Sequence, residues 1–212
     1  MFDIEYKGGN TVVITTKKVS VVFDPKQSLI GLKDLVVKDA IEIVTEARFQ
    51  VADKAYRLFL DSPGEYEIAD VSVRGIAASR HIDDPSVSPV ATIYQLEVGG
   101  VRMAVLGNIA PKLNDDQLEA IGVVDIVVIP VGGNGYTLDA TSAAALVRQL
   151  EPKVVIPVHY ADSSLKYEVP QDALDVFVSE LGAPVEQSGN KYKLKAVSSL
   201  PEVLTTVVVD RS

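Results

Sequence analysis

The chain has 212 residues, 47% of them hydrophobic, enough for a sizeable buried core and too many for a disordered chain. Its 20 Lys and Arg against 29 Asp and Glu give a formal net charge of -9, which repels nucleic acid and anionic lipid; the longest basic run is Lys17-Lys18. Cysteine is absent, so disulfides, thiolate metal sites and cysteine nucleophiles are excluded, and any metal would have to be held by His, Asp or Glu.

The opening MFDIEYKGGN lacks the basic stretch and apolar core of a signal peptide. No apolar run approaches the roughly 20 residues that span a bilayer. A cytoplasmic protein with neither membrane nor nucleic acid as partner is the expectation.

Residues 2–6, 11–16 and 19–24 are β-rich runs divided by Lys7-Gly8-Gly9-Asn10 and by Lys17-Lys18, which predicts consecutive hairpins. Further strands are predicted at 41–45, 57–60, 66–68, 71–76, 92–98 and 101–106, with tight turns at Pro63-Gly64 and Gly99-Gly100. Asn114 caps a short helix through Leu118 and Ile121 that stops at Gly122, and 125–131 follows as a nearly all-apolar strand. An alanine-rich helix over 138–150, a strand over 153–158 and a helix from Pro170 come next. Ala173, Leu174, Phe177, Val178 and Leu181 share one face of that last helix, which Gly182 ends. Short strands at 191–195 and 205–210 close the chain, and no linker marks a boundary, so a single domain over 1–212 is expected.

DSPGEYEIADVSVRGIAASRH (61–81), AVLGNI (104–109), VDIVVIPVGG (124–133) and VVIPVHY (154–160), with VVFDP (21–25) near the start, together resemble the metallo-β-lactamase superfamily. They are most similar to its lactonase-like branch, the group of L-ascorbate-6-phosphate lactonases. The resemblance implies an α/β fold, an αββα sandwich of two mixed sheets packed face to face with helices outside. It also implies a metal site at one edge, built from a His-x-His-x-Asp-His motif, a later histidine, a Gly-Asp aspartate and a final histidine.

Carried over position by position, most of that site is missing. The motif falls in TEARFQVAD, where its ligand positions are Glu46, Arg48, Gln50 and Val51. Arg48 brings a permanent positive charge and no lone pair. The Gly-Asp pair reads Gly107-Asn108, and a Gly-His-Ser turn falls on Gly8-Gly9-Asn10. His81 matches the later histidine and His159 the final one, the only two histidines in the chain. Zinc needs about three protein ligands before it can activate a water. Asp83 or Asp84 beside His81 could complete a weak set, although Asp-Pro is also an ordinary turn signal.

The expectation is therefore a fold that has lost most of its metal ligands and serves a non-catalytic binding or scaffolding role. No cofactor is expected; Zn or Mn at low occupancy in a reduced mononuclear hydrolase, a lactonase or phosphoesterase, is one alternative. Another is an anion or sugar-phosphate module in which Arg48 and Arg80 meet at the old cleft. The Gly132-Gly133-Asn134-Gly135 run reads as a turn, because it lacks the Lys-Ser/Thr ending of a phosphate loop. The resemblance also makes a homo-oligomer a candidate.

Overall fold

The computed structural model describes residues 2–81 and 89–212. Its first strands are β1 (Phe2–Gly8), β2 (Thr11–Thr15), β3 (Ser20–Phe23), β4 (Ile41–Ile43) and β5 (Leu58–Leu60). They are followed by β6 (Gly64–Ile68), β7 (Val71–Ser79), β8 (Val90–Val98), β9 (Val101–Val105), β10 (Ile126–Pro130) and β11 (Val154–Val158). The tail adds β12 (Val185–Gln187), β13 (Tyr192–Leu194) and β14 (Thr205–Val208), and the helices are α1 (Asp115–Ile121), α2 (Ala140–Leu150) and α3 (Leu174–Leu181).

Two mixed sheets result, one of six strands in the order β13-β1-β2-β3-β4-β5 and one of eight in the order β12-β14-β11-β10-β9-β8-β7-β6. The predicted hairpins are present: β1 with β2, β2 with β3, and the meander β6 to β9 are all antiparallel. The turn between β8 and β9 is made by Gly99 and Gly100 at φ 58° and 81°, the doubly left-handed conformation that two-residue hairpins favour.

The central strands β10 and β11 are buried along their whole length, because parallel strands in the middle of a sheet are covered on both faces. Their alternation divides the core. Ile126, Val128, Val154, Ile156 and Val158 point at the other sheet and join Ile4, Ile14, Phe23 and Ile43. Val127, Ile129 and Val155 point outward and meet Ala143, Val147, Phe177 and Leu181 of α2 and α3. The sandwich of two sheets with helices outside is thus the architecture, with the α-helices on the eight-stranded sheet. The outer face of the six-stranded sheet, at Val13 and Val22, is closed by Ala40 and by Leu35, Val37 and Tyr56 from coil.

Helix starts follow their caps. Asn114 and Gln117 form a reciprocal capping box at α1, and Asp139 accepts the Ser142 N–H at α2. α3 begins at Leu174, later than Pro170 suggested, because Asp172 is held extended by bonds to Ala161 and Gly132. β12 was not predicted; all three of its residues are exposed, so it carries no apolar signal. Among the described residues no helix is long and apolar enough to cross a membrane.

The chain directions bring several strand ends to one edge. β9, β10 and β11 run parallel, and β7 shares their direction through two antiparallel pairings. Arg80, Asn108, Gly132 and His159 therefore emerge together from the eight-stranded sheet, facing the β1–β2 turn and the residues after β4.

Candidate functional site

A continuous chain of polar contacts runs across this edge. His159 Nδ1 lies 2.8 Å from Asn10 Oδ1, Asn10 Nδ2 donates to Asn108 Oδ1 at 3.0 Å, and Asn108 Nδ2 donates to Glu46 Oε1 at 2.9 Å. The other Glu46 oxygen, Oε2, pairs with Arg80 Nε, both side chains about 5% exposed or less. The donors are self-consistent: Asn10 and Asn108 each donate through the amide nitrogen, so His159 Nδ1 must carry the proton given to Asn10 Oδ1.

Backbone geometry fixes the members. Gly107, at φ 63°, lets the chain pass close over Thr45; a Cβ there would lie 2.6 Å from Thr45 Cβ. Arg80 is anchored by its N–H to Pro89 O at 2.8 Å and by a bridge to Ile109. His159 sits at φ 52°, its N–H held by the Tyr6 hydroxyl at 3.2 Å. Its ring lies between Tyr167, stacked at 5.1 Å, and Tyr136 at 5.3 Å. Burial, helped by the Arg48 charge, brings the imidazole pKa down to about 3, so it is neutral.

Burial pushes the Glu46 carboxyl above its ordinary range, opposed by Arg80, the Asn108 amide and Arg48. Beneath it lies Asp24, 3% exposed, which accepts the Thr45 N–H at 2.7 Å and the Thr45 hydroxyl at 2.6 Å. Burial raises Asp24 to about 8. Another buried carboxylate, Glu42, receives the N–H groups of Val51 and Ala52 and pins the segment that would carry the end of the family motif.

The mouth of the edge is closed by the chain itself. Arg48 donates to Glu168 Oε1 at 2.6 Å and lies over the rings of Phe49 and Tyr136, and Arg80 lies over the same Tyr136 at 5.9 Å. The loops bearing Arg48 and Arg80 thus do meet, but each guanidinium already has a protein carboxylate. Tyr167 donates to Tyr160 O at 2.8 Å. The cavity left between Asn10, Asp24, Tyr136, His159 and Tyr167 has about 20 Å³, room for about one water.

His81 stands beside this chain of contacts. Its N–H donates to Asn108 O at 2.8 Å and its Nδ1 donates to Gly135 O at 3.1 Å. Gln50 and Val51 are half-buried, with Val51 joined to Glu42 only through its backbone. Asp83 and Asp84 lie outside the described residues. The glycine run is a turn in which the Gly133 N–H is used internally, on Thr137 Oγ1 at 2.7 Å and on Leu138 O. Asp24, Glu42, Tyr136, Tyr167 and Glu168 are site residues that sequence reasoning missed; VVFDP carried Asp24 only as part of the resemblance, and Asn10 entered only as part of the Gly-His-Ser turn.

The described residues do not fit a divalent metal. Arg48 and Val51 have no donor lone pair to offer, Asn108 Oδ1 is taken by Asn10, and both Glu46 oxygens are engaged. Among the described residues no group of three or more His, Asp or Glu could hold an ion.

Several proteins are similar to this chain. The UPF0173 metal-dependent hydrolase of Carboxydothermus hydrogenoformans is 34% identical over 67 residues, covering 32% of this chain and 29% of that protein. That of Natranaerobius thermophilus is 25% identical over 117 residues, covering 55% and 50%. The chain thus spans half or less of the length of these relatives. Among solved structures, a Thermotoga maritima protein described as a Zn-dependent hydrolase of the metallo-β-lactamase superfamily superposes with a TM-score of 0.77 at 23% identity over 99% of both chains. The metallo hydrolase Igni18 of Ignicoccus hospitalis gives 0.66 at 16% identity, over 92% of this chain and 99% of its own. Both likenesses establish the fold. Residues 3–159, well over half of the chain, match the family described as Beta-lactamase superfamily domain, and the chain belongs to that family.

Proposed function

We propose that this is a non-catalytic binding or scaffolding member of the fold, of the lactonase-like branch, working in the cytoplasm and able to self-associate. One observation carries the reading: the polar atoms of Glu46 and Asn108, at the family's ligand positions, are committed to other protein groups, in a chain that runs from His159 to Arg80. A hydrolase of this fold needs an open coordination position and a metal-bound water. Here Tyr167 and the Arg48–Glu168 pair occupy the approach.

The test is elemental analysis of protein purified without chelator, together with hydrolysis of lactones and phosphomonoesters in added Zn or Mn. Substoichiometric metal and no turnover above buffer are expected. Near-stoichiometric metal with turnover that falls in His81→Ala and His159→Ala would establish instead the reduced mononuclear hydrolase, the reading that draws on the names of the relatives.

A second reading, an anion or sugar-phosphate module, draws on the half-exposed Glu168, which a phosphate could displace from Arg48. A thermal-shift screen with sugar phosphates tests it. Stabilisation that disappears in Arg48→Ala supports it, and the absence of any shift removes it.

A further inference from the structure

We infer that the guanidinium of Arg80 is a built-in cation that takes the place of the fold's metal, closing a polar clamp that ties the two sheets together at this edge.

The argument rests on where each partner sits. Asn10, in the turn between β1 and β2, and Glu46, after β4, belong to the six-stranded sheet. Asn108, Arg80 and His159, which follow β9, β7 and β11, belong to the eight-stranded sheet. Each link, His159 to Asn10, Asn10 to Asn108, Asn108 to Glu46 and Glu46 to Arg80, therefore crosses from one sheet to the other. A metal held by loops of both sheets would make the same connection. Here it is made by side chains alone.

Only one member of the clamp is a permanent cation. The Arg80 side chain is 5% exposed, and Glu46, the acid facing it, occupies the first position of the missing motif. A buried carboxylate needs a compensating charge, and the guanidinium supplies it, with the face of Tyr136 as a further partner. A divalent ion brought to the same place would meet that fixed positive charge. The inference goes beyond the proposed role, since the clamp would operate whatever the protein binds.

Thermal denaturation of the full chain tests the inference, in wild type, Arg80→Ala, Glu46→Gln and the double variant, each with EDTA and with Zn or Mn. Breaking a buried pair on one side leaves an uncompensated group, so each single variant should lose on the order of 10 °C in Tm. The double variant, with no stranded charge, should lose clearly less than the two losses added together. Adding millimolar methylguanidinium should restore part of the Arg80→Ala loss and leave the double variant unmoved. Should Arg80→Ala fail to fold, the step from Glu46→Gln to the double variant decides: a Tm no lower than that of Glu46→Gln supports the pair, and a further fall of about 10 °C overturns it. Additive losses, or a wild-type Tm raised by Zn or Mn and no longer raised in Glu46→Gln, would overturn the inference, the second by making Glu46 a metal ligand.

Discussion

Replacing Asp24 by Asn should flatten the stability of this protein against pH on the alkaline side of neutrality. Asp24 is fully enclosed after β3, its carboxyl bonded to Thr45 and its backbone to Ile43 and Thr11, and among the described residues no cation is bonded to it. Burial is the leading cause of its rise from 3.8 to about 8, with the Glu46 charge adding to it and the Thr45 hydrogen bonds opposing. Between about pH 4 and pH 8 the folded chain keeps a proton that the unfolded chain releases. Stability from this group is therefore full below about pH 4 and is lost as pH rises through 8.

His159 acts in the opposite sense. Its pKa falls from 6.5 to about 3 on folding, so its contribution is full above 6.5 and is lost as pH falls towards 3. The two nearly cancel from about pH 4 to 6.5, and above that only Asp24 still changes. One proton over about one and a half pH units, at about 1.4 kcal/mol per unit, removes about 2 kcal/mol between pH 6.5 and 8. In a chain of this size that is a fall in Tm of about 4 to 8 °C. Urea or thermal denaturation at fixed ionic strength in this range, for wild type and Asp24→Asn, measures it. The variant keeps an acceptor for the Thr45 N–H and has no proton to lose. A decline of equal size in both proteins, or a wild-type curve that rises from pH 6.5 to 8, would refute the assignment of a protonated Asp24.

Two further substitutions separate strained from weak features of the site. Gly107→Ala puts a methyl against Thr45 at a left-handed φ, and relief would move Asn108 off Asn10 and Glu46; a loss of about 2 to 4 kcal/mol is expected in chemical denaturation, and one below about 1 would show that the turn can relax. Glu168→Ala removes a half-exposed ion pair and should lower stability by less than about 1 kcal/mol, an effect that fades at high salt. A salt-independent loss larger than that would mean the pair also holds Tyr167 over His159.

The framework was legible because local pattern and final structure agree. The β-branched runs ending at Val131 and Val158 become central strands, and the Asn114 box starts its helix as read. The start of α3 and the existence of β12 were not legible, since tertiary bonds to Asp172 set the one and pairing with β14 alone defines the other. The site divides in the same way. That Glu46, Arg48, Gln50 and Val51 stand in the segment where the motif would fall is what the resemblance implies, and it can be read from one short stretch of sequence. What took the motif's place is not local: Asn10 lies 98 positions from Asn108 and 149 from His159, and Glu46 lies 62 from Asn108. The resemblance brings these positions to one edge, but no periodicity or motif says which of them bond to one another.

Charge explains why this edge can stay closed without a metal. A metal site concentrates anionic and neutral donors around a cation, and removing only the cation leaves the donors repelling one another. Here the balance is struck differently: Asp24 keeps its proton, His159 is neutral, and Glu46 faces Arg80. These four groups together are close to neutral as they stand, and amides rather than carboxylates join Glu46 to His159. Returning a histidine to position 46 alone would strand the Arg80 guanidinium instead of rebuilding a ligand set. Glu46, Arg80 and Asn108 thus act as a unit, the carboxylate of Glu46 being held on one side by the Asn108 amide and on the other by the Arg80 guanidinium.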